Sequence, residues 1–110
     1  MPYLSLNPIA GVALLAALAA YPALAQNRLE AGRQLFNQAA VPACALCHTL
    51  KDANAAGEIG PNLDELKPDA SRVEKAVRNG IGQMPPFKDL SDAQIKALGE
   101  YVAAATSGAK

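Results

Sequence analysis

Apolar and polar positions divide the chain into two unlike segments. Residues 1–25 hold 19 apolar side chains and no charge, and the first charged residue is Arg28. Within that segment Ile9 to Ala20 runs for 12 residues without a polar side chain. Beyond it the spacing becomes helical. Leu29, Gly32, Leu35, Phe36 and Ala39 recur every three or four positions, which predicts a helix from Arg28 to Ala39. Val73, Val77 and Ile81 repeat every four residues and predict a second helix between Asp69 and Gly80. Asp69 caps it, or Ser71 does in a Ser71-x-x-Glu74 box, and Asn79-Gly80 ends it. The third helix has the clearest signal: a Ser91-Asp92-Ala93-Gln94 capping box, then Ile95, Leu98, Tyr101, Val102 and Ala105 on one face. No period-2 alternation of useful length occurs, and no internal repeat. Loops 49–61 and 80–90 are punctuated by Gly and Pro, and loops that long in a compact domain are usually functional. The expected fold class is all-α, a small domain of three to four helices.

The first segment reads as a leader. Tyr21-Pro22-Ala23-Leu24-Ala25 puts a helix-breaking proline and A-x-A small residues ahead of Gln26. This is the layout of a secretory signal over 1–25, with a domain over 26–110 that would be exported to the periplasm. The n-region carries no Lys or Arg, so the α-amino group is its only positive charge. An uncleaved anchor is the competing reading of the uncharged run from Pro8 to Ala25. A spanning helix wants about 20 apolar residues, and Pro22 sits badly inside one.

Composition then narrows the second segment. The whole chain has 110 residues, and ten Lys/Arg balance ten Asp/Glu. One small domain follows from that length, and zero net charge argues against nucleic-acid binding. Residues 26–110 contain 19 large apolar side chains against 16 Ala, with no Trp. So thin a core needs a staple: disulfides, a metal or a large bound group. Two cysteines can make at most one internal bridge.

Cys44-Ala45-Leu46-Cys47-His48 is a C-x-x-C-H run, the attachment signature of c-type haem. Cys44 and Cys47 lie three apart, so on a helical turn both sulfurs can reach the vinyl groups of one porphyrin as thioethers. His48 then projects toward the iron from the same side. A thioredoxin-like dithiol expects a βαβ setting that is missing here. A zinc site wants four ligands, while the chain has three Cys and His residues in all. A disulfide at this spacing closes a short strained loop with little return, and copper handling lacks a Met cluster. His48 is the sole histidine, so a sixth iron ligand must be another residue type, water or nothing. Met84, in Gly80-Ile81-Gly82-Gln83-Met84-Pro85-Pro86-Phe87, is the outstanding choice, against the plainer reading of a Met filling a core gap. Met/His ligation raises the potential and favours electron transfer.

Over residues 27–105 the chain resembles a class I cytochrome c of the short bacterial kind. The resemblance rests on the order of Gly32 and Phe36, the C-x-x-C-H run, Gly60-Pro61-Asn62-Leu63, Met84-Pro85, and Leu98 with Tyr101. It implies helices wrapped around one haem c, a close crossing of the first and last helices, and a Pro61 carbonyl that accepts the proximal His Nδ1–H. It also implies that the usual Trp contact to a haem propionate is replaced by another group. Stretches 49–61 and 79–87 are similar to small cytochromes that serve periplasmic sulfite dehydrogenases. The expected molecule is a monomeric, non-enzymatic one-electron carrier. Cys44, Cys47, Pro61 and Met84 would hold the cofactor, and His48 and Met84 the iron. A donor dehydrogenase and an acceptor oxidase or cytochrome would be its partners, meeting small apolar residues around an exposed haem edge (Ala43, Ala45, Leu46, Pro85, Pro86). The alternative is a haem enzyme subunit or ligand sensor with an open or displaceable sixth position.

Overall fold

The computed structural model describes the backbone of residues 8–107 and the side chains of residues 21–107. Four α-helices dominate the described residues: α1 (Pro8–Gln34), α2 (Leu63–Leu66), α3 (Ala70–Asn79) and α4 (Asp92–Thr106). The expected helix over 28–39 is the end of α1 plus a π-helical turn, Leu35–Ala39. Pro22 does not break α1 but lies inside it, so the helix continues through the Ala25–Gln26 junction. Alanines, the best helix formers, flank Pro22 and carry the helix past the backbone bond that proline cannot make. Tyr21 to Glu30 are exposed. The leader's residues 1–7, and its side chains as far as Ala20, lie outside the described residues. Among those described, no helix is long and apolar enough to cross a membrane.

The frame is the crossing of α1 with α4. A Cβ on Gly32 would overlap Cβ of Tyr101 and come 2.9 Å from the Ala97 carbonyl oxygen, so only glycine permits this approach. Phe36 then meets Tyr101 edge to face, ring centroids 6.2 Å apart. Phe36, Leu98, Tyr101 and Val102 are all at least 98% buried and form the centre of the core with Leu50. The Tyr101 hydroxyl donates to Asp52 at 2.7 Å, and Arg33 reaches the same carboxylate at 3.3 Å. The long loop 49–61 is thereby tied to the helix pair.

α3 packs on α4 through a second close approach, where a Cβ on Gly99 would meet the Ala70 carbonyl oxygen at 2.8 Å. Asp69, not Ser71, caps α3. Its carboxylate accepts from the Arg72 amide at 2.8 Å, and Ser71 donates to it at 3.0 Å. That backbone bond, then the Ser71 hydroxyl, holds the Asp69 carboxyl below its ordinary range. Gly80, at φ +70°, ends the helix, so Ile81 falls outside it and is 70% exposed rather than continuing the Val73–Val77 stripe. The Ser91–Gln94 capping box starts α4 as expected, with both reciprocal bonds made.

Loop 49–61 holds a small antiparallel ladder: β1 (Thr49–Leu50) faces β2 (Ala55–Ala56), with Thr49 opposite Ala56 and Leu50 opposite Ala55. A 3₁₀ turn, Lys51–Ala53, joins them through Asn54 in the left-handed region. The fold is mostly helical, as expected, with this two-residue ladder added.

Candidate functional site

The C-x-x-C-H run folds as a 3₁₀ turn, Cys44–Leu46, after which the His48 amide donates to the Cys44 carbonyl at 3.0 Å. Two glycines press against this turn. A Cβ on Gly57 would come within 2.6 to 2.7 Å of the Cys47 and His48 backbone. Gly60 donates its amide to the Cys47 carbonyl at 2.6 Å, and a Cβ there would lie 2.7 Å from His48 Cε1 and 3.0 Å from Nδ1. The imidazole therefore lies against bare backbone. Its Nδ1–H donates to the Pro61 carbonyl oxygen at 2.7 Å. A carbonyl oxygen can only accept, so the neutral ring carries its proton on Nδ1 and leaves the Nε2 lone pair free.

Cys44 and Cys47 are free thiols, both partly buried. As a free thiol, Cys44 is pushed up to about 11 by burial. Met84 is presented by a tight reverse turn: Ile81 and Met84 exchange both backbone hydrogen bonds, at 3.0 and 2.9 Å, around Gly82-Gln83. Gly82 takes φ +56°, which the first position of such a two-residue turn demands of glycine. The Phe87 amide bonds the Val77 carbonyl at 2.8 Å and fastens the far end of this loop to α3.

Cys44, Cys47, His48, Pro61 and Met84 all line one cavity of about 620 Å³, together with Leu63, Val73 and Phe87. That is within the range of about 300–1,000 Å³ for cofactor sites, and the wall is mostly apolar. The five residues expected from sequence are thus brought together. Gly57 leaves no trace in the sequence beyond the Gly-x-x-Gly spacing that leads into Pro61, and Gly60, though part of the Gly60-Pro61-Asn62-Leu63 run, gives no sign there of its contact with the imidazole. Among the described residues no three His, Cys, Asp or Glu side chains converge as metal ligands, which removes support for a zinc site. Paired thiols at thioether spacing, an imidazole with a free Nε2 and a thioether sulfur on one apolar cavity fit a haem c.

The sequence matches the family described as cytochrome c oxidase, cbb3-type, subunit III, over residues 27–102. The chain belongs to this family of c-type cytochromes. It is also similar to the crystal structure of the c-type cytochrome SorU from Sinorhizobium meliloti. The two are 54% identical, with a TM-score of 0.72, over 74% of this chain and 93% of that one. No curated protein matches it. The cytochrome's cofactor is accordingly a covalently bound haem c, and its family role is electron transfer. The thin core and the cavity now have one explanation, because the haem is the missing interior.

Proposed function

We propose that the protein is a periplasmic carrier whose single haem c is tethered through Cys44 and Cys47 and held axially by His48 Nε2 and Met84 Sδ. The observation that carries this reading is the shared cavity: His48 and Met84 both line it, and the bond to Pro61 leaves the lone pair of Nε2 free to ligate. When bound, the group supplies one-electron exchange between Fe(III) and Fe(II). The chain's part is to hold that exchange still. Gly60 and Pro61 fix the ring plane and tautomer of His48, and the Pro61 carbonyl raises the basicity of the imidazole. The Gly82 turn and the prolines after Met84 restrain the thioether, and apolar neighbours keep water away. His48 and Met84 would together hold the iron and leave it no position for a substrate, which favours a carrier over an enzyme or sensor.

Residues 1–25 act as a secretory signal cleaved after Ala25, since haem attachment outside the cytoplasm requires export. Of the apolar residues expected at the haem edge, Ala43 and Pro85 line the cavity and Leu46, 65% exposed, belongs to the C-x-x-C-H turn, while Ala45 packs against the core and Pro86 lies outside the lining. Ala43, Leu46 and Pro85 form the rim where redox partners dock in small, brief contacts. The likeness to small cytochromes of sulfite oxidation makes a sulfite dehydrogenase the proposed donor, with an oxidase or second cytochrome as acceptor. Carrier and open-site readings separate on carbon monoxide binding. Reduced wild-type holoprotein is expected not to take it up, whereas Met84→Ala binds it readily; wild-type uptake at the variant's rate defeats the carrier reading. The donor is checked by mixing oxidised holoprotein with a sulfite dehydrogenase and sulfite. Rapid reduction is expected, and none would remove that partner.

A further inference from the structure

The helix α3 turns an unexpected face to the cavity. Arg72, Lys75, Ala76 and Asn79 stand at helical i, i+3, i+4, i+7 spacing, and all four line it. Val77 is buried on another face, and Ala70 and Glu74 meet Gly99 of α4. Two cations and an amide therefore border a mostly apolar space. Among the described residues neither cation makes an ion pair, unlike Arg28, Arg33 and Arg78, which do. Asp69 feels Arg72 electrostatically, but its Oδ1 serves the helix cap, accepting from the Arg72 amide and the Ser71 hydroxyl, and its carboxylate makes no ion pair with the Arg72 guanidinium. Unpaired cations beside an apolar cavity suit a ligand that is a flat hydrocarbon with an anionic edge.

Haem c has that chemistry, and its vinyl-derived thioether edge lies opposite its two carboxylates. The C-x-x-C-H turn packs against the 35–39 π-turn and β2, whereas α3 packs against α4, so the tethers and the cations belong to separate walls. We propose that Arg72 and Lys75, with the Asn79 amide beside them, receive the haem carboxylates and set the carboxylate edge of the porphyrin on α3. This rests on the haem-site reading above. The chain has no Trp to serve that edge, and an Arg is well suited to it, because its planar fork can hold a carboxylate bidentately.

A cation at that edge opposes the extra positive charge of Fe(III), so removing it stabilises the oxidised form. The test uses matured holoprotein and measures midpoint potential in wild type, Arg72→Gln, Lys75→Gln, the double variant, and Lys96→Gln as an exposed control on α4 that does not line the cavity. Both single variants are expected to have lower potentials, the double variant lower still, and the control the wild-type value. The infrared carboxylate bands of the haem should move in the same variants only. Shifts no larger than that of Lys96→Gln, with unmoved carboxylate bands, would overturn the assignment. Covalent haem mass and the Met-to-iron absorption band, recorded on the same samples, report separately on the axial reading. Their loss in wild type would defeat that reading, while the potential comparison still decides the role of α3.

Discussion

At the scale of single residues, the His48 ring is set by bare backbone, since a Cβ on Gly60 would strike the imidazole. His48 and the two cysteines announce themselves by spacing, and Met84 by being the lone soft ligand on a Gly/Pro loop. Gly60 stands in the quoted Gly60-Pro61-Asn62-Leu63 run, but its role is not readable there, because it comes from the imidazole Cε1 lying 2.7 Å from where a Cβ would be. Gly60→Ala is expected to push His48 off its bond to Pro61 and to cost about 1–3 kcal/mol, as overpacking does. Thermal unfolding and yield of holoprotein check this; wild-type values for both would show that the ring does not depend on bare backbone. Tyr101 is a similar case. Its helix position was readable, but its partner Asp52 lies 49 positions away in the chain. Burial first, and the bond to Asp52 second, hold its hydroxyl above the ordinary tyrosine range. A tyrosine pKa raised by folding contributes stability below about pH 10 that is lost as pH rises further. Tyr101→Phe should therefore lose about 1.5 kcal/mol at neutral pH, through the missing bond to a charged acceptor. Its denaturation midpoint should also fall less steeply above pH 10 than that of wild type. Parallel curves would refute the tyrosine's part in the alkaline loss.

At the scale of elements, length decided what could be read. α3 and α4 span 10 and 15 residues, enough turns for a periodic stripe and a recognisable cap. β1 and β2 have two residues each and α2 has four, too few for any period to register. They exist because tertiary bonds hold them, such as Thr49 Oγ1 donating to the Gly57 carbonyl at 2.9 Å. Pro22 reversed a local rule for a related reason, its alanine-rich surroundings outweighing one lost backbone bond. The choice between caps for α3 also needed coordinates, since Asp69 and Ser71 were both chemically competent. The cap of α4 offers a direct check: Ser91→Ala should remove the bond to the Gln94 amide and cost about 1 kcal/mol in chemical denaturation. An unchanged midpoint would mean that α4 is held by packing alone.

For the molecule as a whole, the shortage of large side chains was the most informative feature of composition. It predicted a filler, and the fold supplies a cavity of about 620 Å³ beside the two cysteines, the histidine and the methionine. Leu63 and Phe87 are buried and Val73 is half-buried where they line that space, and the haem completes the packing of that wall. Chain matured without haem is expected to be largely disordered in solution, with no cooperative thermal transition; a sharp transition in the haem-free chain would contradict this. The same dependence joins stability to function, because one group completes the core and carries the electron. The most direct measurement is the absorption spectrum of the oxidised holoprotein. A low-spin spectrum with the weak long-wavelength Met-to-iron charge-transfer band, lost in Met84→Ala, is expected for a haem held between His48 and Met84. A high-spin spectrum lacking that band would contradict it.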